Sequence, residues 1–288
     1  MTTTMKIDSS RRTFLGTAAG MASLSAFSAD MASAMIEAEP WGIKLGIATY
    51  SLRMFDRATA IDKLKMFGVK YVSIKDVHMK IGEPAEATKA ARAEFDAAGL
   101  VVTSGGNVDM TKSVTVDDLR KQFDYAKAAG LPMMVCAPTH ENIKNVETLV
   151  KEYNIRIAIH NHGPEDKHFP TPQSVLEVVR KLDKRCGLCM DIGHSARTGV
   201  DVVKTIADAG DRLFDMHVKD LKDMMVKESQ CDIGDGKMPF PAIYKQLKKM
   251  GYTGCVNMEY EVPVKDPTVG MQRSLSYQRG VLAGLASV

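Results

Sequence analysis

The chain has 288 residues, 45% hydrophobic and 25% charged, a globular composition long enough for one barrel-sized domain or two smaller ones. Its net charge of +3 is too small to argue for a nucleic-acid or membrane-surface partner. Five cysteines, odd in number and irregularly spaced, do not make a disulfide framework, and the "CGLC" at 186–189 leads into an apolar run as buried strand thiols would.

In chain order, the first feature is "SRRTFLG", where Arg11 and Arg12 precede the small, apolar run "TFLGTAAGMASLSAF" and then Ala32-Ser33-Ala34, an A-x-A cleavage pattern. Residues 1–34 are expected to be a secretion signal of the twin-arginine type, with export of the folded protein to the periplasm through the twin-arginine machinery. The run is too short and too rich in Ala, Gly and Ser for a stable membrane span.

From residue 43 a single rhythm repeats. Eight short runs rich in Val, Ile and Met ("IKLGIATYS", "YVSIKD", "LVVTSGG", "MMVCAP", "RIAIHNH", "CGLCMDIGH", "LFDMHVKD", "GCVNMEYE") alternate with charged segments of helical period, several ending in Gly. Eight strand–helix units predict an α/β fold, a (β/α)8 TIM barrel occupying 35–288 as a single domain. A doubly wound sheet is the competing architecture, but no glycine-rich dinucleotide fingerprint follows the first strand.

A barrel of this kind carries its reactive groups at the C-terminal ends of the strands, on the inward face. Side chains alternate along a strand, so outward Ile157 and Ile159 leave His160 and His162 inward. The same rule sends Asp191 inward in "CMDIGH", with His194 at the rim, and Asp215, His217 and Lys219 inward in "DMHVKD". In "VNMEYE" it leaves Asn257, Glu259 and Glu261 inward, and in "VSIKDVH" Lys75. Imidazoles and carboxylates gathered in one mouth are costly without a partner for their charge. A divalent metal is such a partner; a metal-free His–carboxylate network bracing the mouth is the other. Asp191, Glu259, His217 and one ring of the His160/His162 pair would give two nitrogen and two oxygen ligands, a set suited to Mn, Co, Fe or Zn.

The motifs "IAIHNHG", "MDIGH", "MHVKD" and "MEYE", in this order at successive strand ends, resemble the xylose-isomerase-like barrel superfamily, which includes sugar phosphate isomerase/epimerase proteins, inosose dehydratase-like proteins and the endonuclease IV group. The resemblance spans roughly 43–286. It implies one metal held by Asp191, His217 and Glu259 together with the fifth strand's residue. Many members read Glu-Asn-His there; this chain reads His160-Asn161-His162, which puts His160 in the ligand position and His162 against substrate, although either ring has the reach, and Glu141 is a fallback ligand. The resemblance further implies proton abstraction beside a sugar carbonyl. With one glutamate replaced by His160, the candidate proton-transfer groups are Glu259, Glu261 and Lys75; His162, His194 and Lys219 are expected to contact substrate, with Tyr50 and Arg53 as further candidates at the mouth. The loops "GPEDKHFPTP" and "KESQCDIGDGK", the latter with Gln230, are expected to cover the site or simply to turn at the rim.

The resulting expectation is a metal-dependent isomerase or epimerase of an unphosphorylated or oxidised sugar, since phosphorylated sugars are mainly cytoplasmic. Elimination or hydration on a 3-keto-glycoside begins with the same proton abstraction and is the near alternative. A non-catalytic periplasmic sugar-binding barrel is the alternative of another class. A nuclease would call for more metal and a more basic face. A homo-oligomer is compatible with the sequence.

Overall fold

The apolar runs become the strands of one closed parallel barrel in the computed structural model, which describes residues 40–113 and 115–287. The expected signal at 1–34 lies outside the described residues. The strands are β1 (Lys44–Ala48), β2 (Tyr71–Ile74), β3 (Val101–Asp109), β4 (Met133–Ala137), β5 (Arg156–His160), β6 (Cys186–Asp191), β7 (Leu213–Val218) and β8 (Cys255–Met258). Each pairs with its sequence neighbours, and β1 closes the ring on β8. The helices between them are α1 (Arg57–Met66), α2 (Ala85–Ala97), α3 (Val116–Ala128), α4 (Ile143–Tyr153), α5 (Pro172–Val179), α6 (Val202–Ala209), α7 (Phe240–Lys249) and α8 (Thr268–Ala286). Alternating parallel strands and helices make this a single (β/α)8 barrel, as the sequence predicts.

Local signals account for the helix starts. Asp56, Thr115, Thr171 and Asp201 each accept a backbone N–H of the first turn through their side chains, and Thr171 forms a reciprocal capping box with Ser174. The main core lies between strands and helices. Ile157, Ile159, Met190, Met216, Val218, Val256 and Met258 are buried there, against helical residues such as Phe95, Phe123, Leu149 and Leu247. Each large side chain so buried contributes about 2 kcal/mol. All five cysteines are free and buried. Among the described residues, no helix is long and apolar enough to cross a membrane.

A second, smaller cluster lies inside the barrel: Met133, Val135, Ala158, Cys189 and Phe214. Strict alternation would send Phe214 outward. The register between β6 and β7 shifts here, pairing Leu188 with Leu213 but Cys189 with Asp215, so Phe214 is the extra residue and turns inward. Beside this plug runs a buried polar chain. Ser104 Oγ donates to an Asp215 oxygen (2.9 Å) and Asn257 Nδ2 to the other (2.7 Å). Burial nonetheless pushes the Asp215 carboxyl up to about 6, against the pull of His217 and these hydrogen bonds.

Candidate metal centre and active site

Four strand ends converge at the barrel mouth. His160 closes β5, Asp191 closes β6, His217 lies in β7 and Glu259 follows β8. One ligand-type atom from each lies within 4.8 Å of the other three. His160 Nε2 is 3.0 Å from His217 Nδ1 and 3.7 Å from Asp191 Oδ2, and His217 Nδ1 is 3.3 Å from Glu259 Oε1. These spacings bracket the edge of roughly 3.4 Å that a tetrahedron with metal–ligand bonds of about 2.1 Å would have. His162 is not part of this group; of the histidine pair, the structure brings His160 to it.

The local sequence explains the rigidity. Asn161, between the two histidines, accepts the Asp191 backbone N–H through Oδ1 (3.0 Å) and donates through Nδ2 to Ser195 Oγ (3.1 Å). It ties the ends of β5 and β6 together. Asp191 divides its carboxylate. Oδ1 accepts the backbone N–H of His194 (2.8 Å), capping the short helix Ile192–Ala196, while Oδ2 turns to the cluster. Oδ2 sits 3.0 Å from Lys219 Nζ but takes no well-directed hydrogen bond and is buried.

Lys219 is the cation of the site, its Nζ 2.8 Å from Glu259 Oε2 and 2.5 Å from Glu261 Oε2. Gly193 makes room for it, since a Cβ there would lie 2.5 Å from the Lys219 stem. Burial works against the ammonium, but Asp191, Glu259 and Glu261 hold its pKa well above the usual lysine value. Burial likewise opposes ionisation of Glu259, and Lys219 and His217 overcome it, holding that carboxyl well below the usual range. Burial lowers the His160 imidazole far below its ordinary value; His217 starts from the same penalty but is raised by Glu259.

The residues therefore fit a divalent cation. With the imidazoles neutral, as metal ligands must be, three carboxylates (Asp191, Glu259, Glu261) against one ammonium (Lys219) leave two negative charges. Two imidazole nitrogens facing each other at 3.0 Å, with an undirected buried carboxylate oxygen beside them, need a cation or a proton between them. The far nitrogens, His160 Nδ1 and His217 Nε2, are buried and find no hydrogen-bond partner among the described residues.

A cleft of about 390 Å³ opens above this cluster, lined by His160, His162, His194, Glu259 and Glu261 on one side and Tyr50, Lys75 and Asn107 on the other. Lys75 Nζ donates to the Asn107 carbonyl (3.0 Å) and stands over the Tyr50 ring. The remaining candidates fall elsewhere. Glu141 is exposed at the start of α4 and outside the ligand group. Arg53 stacks on Tyr50 and bonds the Tyr50 and Tyr260 carbonyls. Gln230 Oε1 accepts the Glu261 N–H and so steadies Glu261 from behind. The 227–237 segment is not a loose lid over its whole length: Gly234, Gly236 and Met238 donate their N–H groups to the buried Asp220 carboxylate.

Several cleft residues were not foreseen. Asn107 lies beyond "LVVTSGG", where the paired glycines read as a strand end. In the fold Gly105 faces Leu131 and Gly106 faces the Val135 carbonyl at distances no side chain allows, so β3 continues through them to Asp109. Glu165, Asp166 and Lys227 line the cleft from the two loops expected to cover the site or turn at its rim, but nothing in those segments singled out these residues.

A family model described as the xylose isomerase-like TIM barrel matches residues 61–280. Rhizopine catabolism protein MocC of Rhizobium meliloti is 29% identical over 125 residues, 38% of each chain. The matches span about two fifths of the length of the curated relatives. Among solved structures, the zinc-bound IOLI protein superposes with a TM-score of 0.69 at 16% identity, covering 84% of this chain and 99% of that one. The 3-keto-D-glucoside 4-epimerase of E. coli gives 0.65 at 15% identity, covering 83% and 99%. At these identities the structural likeness speaks for the fold.

Proposed function

The chain belongs to the xylose isomerase-like TIM barrel family, and on that premise we propose that it is a metal-dependent isomerase or epimerase of an unphosphorylated or oxidised sugar. One observation carries the reading: the ligand-type atoms of His160, Asp191, His217 and Glu259 meet at the floor of an open polar cleft, in a setting two positive charges short of neutral. The zinc in the IOLI structure and the sugar epimerase among the structural neighbours point the same way.

A Mn, Co, Fe or Zn ion held by these four residues would supply Lewis-acid polarisation of a substrate carbonyl. The remaining work falls to the chain. Glu261, in the cleft wall and ion-paired with Lys219, is the base for the proton beside the carbonyl; Glu259 shares the same ammonium and supports it. Lys75, from the opposite arc, is the group to return a proton or to hold a substrate oxygen. His194 presents a ring edge to a hydroxyl, and His162, whose two nitrogens hold Asp166 and Asn107, lines the cleft beside it. Export to the periplasm follows from the paired arginines at 11–12, and cell fractionation of the full-length chain checks it.

The test is solvent exchange. Metal-loaded protein is incubated in D2O with D-fructose, D-tagatose and a 3-keto-glucoside. Deuterium is expected beside the carbonyl of at least one, lost in Glu261→Gln and on chelation. Release of an aglycone would redirect the reading to elimination. No exchange with any sugar, from a protein that takes up no metal, would sink it and leave a sugar-binding barrel.

A further inference from the structure

The loop after β5 carries two carboxylates side by side, Glu165 and Asp166, and each holds a different ring of the site. Glu165 pairs with Arg197, whose Nη1 lies 2.5 Å from Oε1 and whose Nη2 lies 2.7 Å from Oε2. The same Nη2 lies 2.9 Å from His194 Nδ1. A guanidinium only donates, so His194 Nδ1 must accept, and the ring's proton resides on Nε2. That nitrogen is 3.9 Å from Asp191 Oδ2, on the side of the ligand cluster.

Asp166 imposes the opposite order on the neighbouring ring. Its Oδ2 lies 3.2 Å from His162 Nδ1, and a carboxylate only accepts, so Nδ1 carries the proton. His162 Nε2 is then a lone pair, and it receives the Asn107 Nδ2 amide at 2.8 Å. This fixes the Asn107 amide and leaves its Oδ1, in the cleft wall, with no partner among the described residues. Asp166 is itself anchored by the backbone N–H groups of His168 (2.7 Å) and Phe169 (3.0 Å).

We infer that this loop is a positioning element: Glu165, through Arg197, sets His194 as an Nε2–H donor, and Asp166, through His162, sets Asn107 as an acceptor. Two rings whose centroids are 5.7 Å apart thus hold opposite tautomers, both dictated by consecutive residues of one loop. Gly163 is part of the device. Its φ is +84°, and a Cβ there would stand 2.5 Å from Arg197 Nη2, so glycine lets the guanidinium pass beneath the loop. The fixed donor and fixed acceptor match a substrate edge that carries an acceptor oxygen and a hydroxyl; that this edge belongs to a carbohydrate rests on the reading proposed above, whereas the tautomers do not.

Long-range 1H–15N correlation spectra of the full-length chain, labelled with 15N-histidine, read the tautomers directly. In wild type His194 should be protonated on Nε2 alone and His162 on Nδ1 alone. Arg197→Met should abolish the single-tautomer signature of His194 and leave that of His162; Asp166→Asn should do the reverse. A merely structural role for either residue would not produce this exchange of effects. If circular dichroism shows that Arg197→Met does not fold, Glu165→Gln gives the same reading, because it removes the anchor of Arg197 from an exposed position. An Nδ1-protonated His194 in wild type, or a His194 signature unchanged in the folded variant, overturns the inference. A protein that exchanges no deuterium into any sugar but shows these tautomers defeats the proposed catalysis and leaves the positioning role standing.

Discussion

The two arcs of the barrel mouth are built differently. The β5–β8 arc packs His160, Asp191, His217, Lys219 and Glu259 into nearly complete burial, with one ammonium shared among the carboxylates. The β1–β4 arc offers Tyr50, Lys75 and Asn107, partly open to the cleft and tied mainly to backbone. Dense, buried charge suits holding a cation and moving a proton; sparse polar groups suit recognition of a ligand's far side. Substitutions in the two arcs should therefore separate metal loading and stability from ligand affinity.

Asp191→Ala should break the first arc most deeply. It removes a ligand and the cap of the short helix at once, and metal affinity should fall at least about a hundredfold, measured by elemental analysis of the dialysed protein. An unchanged metal content would erase the distinction between the arcs. Lys219→Met leaves Asp191 and Glu259 buried without their cation and should cost the metal-free protein about 3 kcal/mol in denaturant unfolding. Added divalent metal should restore part of that loss.

One layer down, Asp215 supplies a pH test. Its folded pKa, pushed up to about 6 by burial, lies above the unfolded value of about 3.9. The neutral form is the one the fold favours, so its contribution is present below the unfolded pKa and fades as pH rises through the folded one. Relative to Asp215→Asn, wild type should lose about 2 kcal/mol of unfolding free energy between pH 4 and pH 7. A flat difference would show that the Ser104 and Asn257 hydrogen bonds offset burial completely. The smallest effect belongs to the open arc. Lys75→Met should leave metal content and stability unchanged while weakening sugar binding about tenfold, read by titration calorimetry with whichever sugar exchanges deuterium.

Much of this architecture is legible in the chain. The run "RIAIHNH" carries both its strand and the inward direction of His160, because alternation needs no tertiary information. The same holds for Asp191, His217 and Glu259. What stays hidden depends on contacts between distant segments. Asn107 follows two glycines that look like a break until Leu131 and the Val135 backbone are seen pressing on them. Arg197 lies three residues beyond His194 at the end of the short helix, a local contact, but only the fold brings Glu165 to its guanidinium. Phe214 defies alternation because a register shift, invisible in the hydrophobic pattern, turns it inward.

That inward ring has a consequence for traffic. Phe214, with Met133, Val135, Ala158 and Cys189, stoppers the barrel beneath the ligand cluster, and all five side chains are buried. Among the described residues, these side chains close the barrel interior beneath the cleft, so a small molecule bound at the ligand cluster does not pass through to the far end. If the proposed catalysis holds, departure and arrival contend for the cleft, and a product left to accumulate would obstruct the next turnover simply by standing in the door.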